Sequence, residues 1–283
     1  MSRRLSNFLL ILMLIVGLSL VLYPSFSNWW NSMHQSRAMA SYTEEVDKID
    51  PAVYEAVRAS AQAWNQTLPG KAHRYEMTEE ELAQYNKELN LTGNGIMGII
   101  EIPTIDVELP IYHGTSEGVL QVAIGHIEGT SLPVGGPGTH CAVSGHRGLP
   151  SARLFTDLDK LQEGDTFLMR VLDQVLTYEI DQILIVKPWE LDGLEIIEGE
   201  DHCTLVTCTP YGINSHRMLV RGTRIETIEE KAPLRVTADA IRIDPIFVAS
   251  ILGVPVLLLL ALAVALYDPK PKHNGGGSDE NAA

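Results

Sequence analysis

TLVTCTPYGINSHR, residues 204–217, begins as a buried strand and ends in polar residues, with a thiol at the turning point. Thr204 to Cys208 has the β-branched, apolar texture of a strand. Pro210 and Gly212 then mark a turn. Arg217 opens a further strand-like run, RMLVRGTRI. Cys208 therefore lies at a strand end, where a side chain can be both rigidly held and reachable. Upstream, GTHCAV reads as another strand, and SGHRG (144–148) puts His146 at its end.

These three residue types suit nucleophilic chemistry. A cysteine nucleophile needs a thiolate, hence a nearby base or cation. It needs a proton donor for the leaving group and donors aimed at the oxyanion of an attacked carbonyl. Arginine can serve as such a donor, being always protonated with a rigid fork of N–H groups. Each residue also has an ordinary reading: Cys208 as a small core residue, His146 as a turn residue, Arg217 as a solvated strand end. Spacing alone leaves both readings open.

Zinc is the other chemistry the residues bring to mind. His140, Cys141 and His146, with His202, Cys203 and Cys208, include enough ligand types. Adjacent His-Cys pairs on a strand face opposite ways, however, which is poor ligand spacing. The same parity separates Cys203 from Cys208 and argues against a disulfide between them. Cys141 and Cys203 are read as buried apolar fillers, and neither metal nor cofactor is expected.

The chain has 283 residues, three cysteines and a formal net charge of −15. Without a Lys/Arg run, nucleic acid is not an expected partner. An odd, small number of cysteines in a long chain excludes a disulfide-stapled scaffold. From 95 to 226, short β-branched runs alternate with Gly/Pro turns, and one stretch, 151–160, reads as helical. This pattern predicts a closed β-barrel. Residues 27–94 read as helical. Asp50 before Pro51 is a helix start, and Thr78 before three glutamates is another. Leu68-Pro69-Gly70 separates the two.

Both ends carry apolar runs. Residues 245–267 are uncharged and long enough to cross a bilayer. Residues 7–26 follow Arg3 and Arg4 and precede Trp29 and Trp30, which favours a retained span over a cleaved signal. The expected order is a cytoplasmic start (1–6), a span (7–26), an external region (27–226), a linker (227–244), a second span (245–267) and a cytoplasmic disordered tail (268–283).

TLVTC matches the TLxTC signature of the sortases; SGHRG and NSHRMLVRG resemble their histidine and arginine segments. The stretches NGIMGIIEIPTIDVELPIYHGTSEGVLQ, GHIEGTSLPVGG and SGHRGLPSARLFTDLDKLQEGD resemble class C, the pilus-assembling sortases. The resemblance implies an eight-stranded β-barrel, here with N-terminal helices and two flanking transmembrane helices. It implies that Cys208 attacks a threonine carbonyl in an LPxTG-like sorting signal and that His146 is the acid/base. Arg217 would hold the substrate and oxyanion, with Thr207 in support. The implied partners are pilin subunits carrying sorting signals and an acceptor lysine; anchoring of proteins to peptidoglycan and a non-catalytic scaffold are the alternatives. Class C members often carry an Asp-Pro-aromatic lid, which residues 36–95 lack. Residues 65–78 occupy its place, either as a divergent lid using His73, Arg74 or Tyr75 or as a plain surface loop.

Overall fold

A computed structural model describes residues 3–227 and, beyond them, only Gly253, Leu257 and Leu259. The expected second span and tail lie otherwise outside the described residues. Met1–Leu22 belongs to a unit separate from Tyr23–Arg242, which carries everything discussed below except the start of the first helix.

That helix, α1 (Arg3–Val46), contains an 18-residue window of mean hydropathy 2.6, none of it buried within the protein. It is long and apolar enough to cross a membrane, the solvent that would cover such a surface. Its later turns behave differently: Met39, Tyr42 and Val46 are buried at helical spacing. In α2 (Pro51–Gln66), the Asp50 carboxylate accepts from the Ala52 N–H at 2.8 Å and Pro51 fills the first turn. In α3 (Glu79–Tyr85), Thr78 and Glu81 form a reciprocal capping box, at 3.2 and 2.9 Å. Both starts follow from local chemistry, because each satisfies N–H groups that a helix cannot bond internally.

The strands are β1 (Ile96–Ile102), β2 (Val107–His113), β3 (Ile124–His126), β4 (Thr139–Ser144), β5 (Thr166–Val171), β6 (Gln174–Val186), β7 (Asp201–Thr209) and β8 (His216–Ile225). They close into a barrel in the order β1-β2-β3-β4-β7-β8-β6-β5. The pairs β2–β3 and β4–β7 are parallel, and the others are antiparallel. The interior is filled by alternate residues, among them Ile100, Val143, Phe167, Tyr178, Leu205 and Val220. Cys141 and Cys203 sit directly opposite one another in this interior, both free and buried. Burial holds the Cys203 thiol above its ordinary value.

The helices cover one outer side of the barrel. The Tyr42 hydroxyl donates to the Met97 carbonyl and accepts from the Leu172 N–H, each at 3.2 Å. The buried Asn65 amide donates to the Leu132 carbonyl at 3.1 Å and accepts its N–H at 2.7 Å.

One expectation fails. Residues 151–160 form turns and a single 3-10 turn at Leu158–Lys160, not an α-helix. Ala152, Leu154, Phe155 and Leu158 are all buried in the barrel core, and Leu154 has a φ of 36°. Burying a large apolar side chain contributes on the order of 1.5–3 kcal/mol, whereas helix propensity differs by only tenths of a kcal/mol per residue. Core filling therefore decides the conformation.

Candidate active site

Alternation along β7 sorts its side chains. Cys203 and Leu205 point into the barrel; Val206 belongs to an outer apolar cluster with Ala142, Leu194 and Leu219. By the same parity Thr207 faces inward and Cys208 outward. Cys208 is half-buried, and its register partner on β8 is Arg217, also half-buried. Directly opposed residues share a face, so the thiol and the guanidinium stem rise from the same surface.

The parallel pairing on the other side of β7 ends at Ser144 opposite Val206. The Gly145 N–H then donates to the Val206 carbonyl at 3.0 Å, and the Thr207 hydroxyl donates to the Gly145 carbonyl at 2.8 Å. β4 ends at Ser144, and extending its register by two residues would bring His146 level with Cys208. Cys208 and Arg217 are thus paired across β7 and β8, and the segment that follows β4 on the other side of β7 leads to His146. Thr207 anchors this arrangement from beneath. Gly145 permits it: a Cβ there would lie 2.8 Å from Ile124 Cγ2 and from Phe155 Cδ2.

The guanidinium is held from behind. Arg217 Nη1 donates to the carbonyls of Asn214 at 3.3 Å and His216 at 3.1 Å. Next to His146, Arg147 pairs with Asp159 at 2.5 Å and reaches the Thr209 hydroxyl at 3.5 Å, tying the His146 loop to the end of β7. The sequence offers one signal for Arg147, its place inside SGHRG, but nothing local names Asp159 or Thr209 as its partners.

Residues of the expected lid segment contact the β6–β7 connection. Arg74 Nη2 donates at 2.8 Å both to the Tyr75 hydroxyl and to the Leu194 carbonyl, in the β6–β7 connection. Arg74 and Tyr75 also crowd Gly129, and His73 is exposed. Leu194 clusters with Ala142, Val206 and Leu219, on the outer face that also carries Cys208 two residues beyond Val206. His140 and His202 pair six residues before His146 and Cys208 and lie on the face opposite to Cys141 and Cys203. The ring nitrogens of His140 meet the Glu195 carbonyl and the Thr204 hydroxyl, each at 2.7 Å. Among the described residues no group of three or more His, Cys, Asp or Glu could hold a metal ion.

Burial holds the His140 imidazole down at about 4, against an ordinary value of 6.5, and lowers His202 as well. The unfolded chain takes up a proton on His140 as the pH falls below about 6.5; the folded chain does so only near 4. The stabilisation is thus complete above the unfolded value and is lost as the pH falls toward the folded one. Between pH 7 and pH 5, His140 alone should remove about 2 kcal/mol. Urea unfolding of the detergent-solubilised chain at both pH values checks this, and His140→Gln should show a shallower decline.

Comparisons with known proteins agree with the geometry. A sortase-domain family model matches residues 100–225. The crystal structure of sortase C1 from Streptococcus agalactiae is 48% identical, with a TM-score of 0.66, covering 68% of this chain and 100% of that one. Streptococcus pneumoniae sortase C, whose structure is described as bearing on catalysis and pilin substrate specificity, is 45% identical with a TM-score of 0.61, covering 70% and 100%. Sortase A of Bacillus anthracis is 25% identical over 232 residues, 81% of this chain and 99% of the relative. The barrel is that of a family of cysteine transpeptidases, and this chain belongs to the sortases, as a class C member.

Proposed function

We propose that the protein cleaves LPxTG-like sorting signals between Thr and Gly and joins the threonyl group to a lysine of a pilin subunit. The observation that carries this reading is the pairing of Cys208 with Arg217 across β7 and β8, with the His146 loop leaving the end of β4 on the other side of β7. The Cys208 thiolate attacks the threonine carbonyl, and the resulting oxyanion lies beside Arg217. Collapse breaks the Thr–Gly C–N bond; His146 gives its proton to the departing glycine amine and leaves a thioester on Cys208. A lysine amine attacks that thioester, His146 takes the amine proton, and the thiolate departs as the isopeptide bond forms. The thioester conserves the acyl activation of the cleaved peptide, so no nucleotide is consumed. Thr207 supports the site through its hydrogen bond to Gly145.

The pilin substrate is supported by the similarity to sortase C of S. pneumoniae, for which pilin specificity is described. The apolar window of α1 supports membrane anchoring, and Arg3 and Arg4 before it favour a barrel outside the cell. A second anchor at 245–267 rests on the sequence alone. Arg74 and Tyr75 touch Leu194 and Gly129; deleting residues 66–76 and following thiol labelling of Cys208 separates a divergent lid from a plain surface loop.

The test is to incubate the full chain with an LPxTG peptide, quench in acid and determine the mass on the Cys208 peptide. A threonyl adduct is expected. Adding a pilin with its acceptor lysine should convert the adduct into a ladder of covalent multimers, and a Lys→Arg pilin should not form one. No adduct would overturn the nucleophile assignment; an adduct transferred only to peptidoglycan stem amines would overturn the pilin assignment.

A further inference from the structure

The loop that carries His146 has no regular secondary structure from 145 to 153. It closes on itself at its base, where the Phe155 N–H donates to the His146 carbonyl at 3.1 Å and the Gly148 N–H donates to the Thr156 hydroxyl at 3.1 Å. Its tip is held by a different element. The Asn31 side-chain amide of α1 donates to the Ser151 carbonyl at 2.8 Å, and the Asn28 side-chain oxygen accepts from the Arg153 N–H at 2.9 Å. Asn28 and Asn31 are three residues apart and share one helix face. Their two bonds bracket Ala152, whose side chain is buried in the barrel core. Two residues on, Leu154 is buried with a φ of 36°, a left-handed conformation that a leucine keeps only where its surroundings hold it.

From this arrangement we infer that Asn28 and Asn31 are positioning residues for His146, so that the juxtamembrane turns of the anchor helix form part of the catalytic apparatus. The inference rests on His146 acting as the acid/base. The two bonds grip the loop on both sides of its buried tip, and the base of the same loop holds the His146 backbone. Releasing the tip lets Leu154 relax toward an ordinary backbone conformation. Phe155, the next residue, bonds the His146 carbonyl, so the relaxation reaches His146. The two asparagines have opposite roles, because Asn31 donates whereas Asn28 accepts. Aspartate can replace an acceptor but not a donor.

The experiment uses the full chain in detergent or nanodiscs. Asn28→Ala, Asn31→Ala, their double variant, Asn28→Asp, Asn31→Asp and His146→Ala are compared. The readouts are kcat and KM on a fluorogenic LPxTG peptide, the pH midpoint of Cys208 alkylation by iodoacetamide, and thermal melting. Asn31→Ala, Asn31→Asp and the double variant should lower kcat roughly 10- to 100-fold with KM little changed. Their alkylation midpoints should move toward that of His146→Ala, and Asn28→Asp should stay near wild type. Unchanged kcat and midpoint in the double variant, beside an inactive His146→Ala, would overturn this inference alone. A loss of kcat that follows melting temperature with no midpoint shift would also overturn it. A fully active His146→Ala would overturn the acid/base assignment, and the positioning role with it.

Discussion

Cys208→Ala is expected to lower sorting-signal cleavage by at least about 10⁴-fold, with no thioester adduct and a nearly unchanged melting temperature. The activity loss follows from the chemistry, since removing a nucleophile leaves only attack by water in the same site. The retained fold follows from position. Cys208 is half-buried on the outer side of β7 and is absent from the interior cluster that Cys203 and Leu205 help to fill. The neighbouring Thr207 hydroxyl keeps its bond to the Gly145 carbonyl. Peptide cleavage, adduct mass and a thermal melt on one sample measure all three. Polymerisation by the alanine variant, in cells lacking other sortases, would show that the sulfur is not the nucleophile.

Arg217→Lys is expected to cost about 10²- to 10³-fold in kcat, although the charge is retained. One nitrogen of the guanidinium is held by the carbonyls of Asn214 and His216. With that nitrogen fixed, the fork's other N–H groups are expected to serve the oxyanion. Lysine offers a compact ammonium on a flexible stem, so it cannot be held from behind and donate forward in the same planar geometry. The loss should fall on kcat more than on KM, because the oxyanion exists only beyond the ground state. Steady-state kinetics on the peptide decides it, and a lysine variant within threefold of wild type would remove Arg217 from the oxyanion role.

The parts of the fold legible in the sequence are those written in local patterns. The caps at Asp50 and Thr78 were readable because capping is a contest among groups within three residues. The opposite facing of Cys203 and Cys208 was readable because a strand repeats every two residues. The barrel was readable from short strands and frequent turns, and the family from TLVTC and SGHRG. At 151–160 the same local logic failed, since the apolar spacing that suits a helix also suits a loop plugging a barrel, and the core prevailed. Nothing in the sequence marks Asn28 and Asn31, which lie more than a hundred residues from the backbone groups they hold.

Sequence alone determined the residue types, the strand ends on which they stand and the face each takes along its own strand, because these depend on neighbours a few bonds away. Only tertiary structure decided that β4 runs parallel to β7 with β8 on its other side. That order sets residue 208 opposite 217 and the end of β4, which leads to His146, beside β7, while the N-terminal helix meets the histidine loop through Asn28 and Asn31. Strand order and register arise from closing long loops around a shared interior, and that free energy belongs to the whole barrel rather than to any stretch of it.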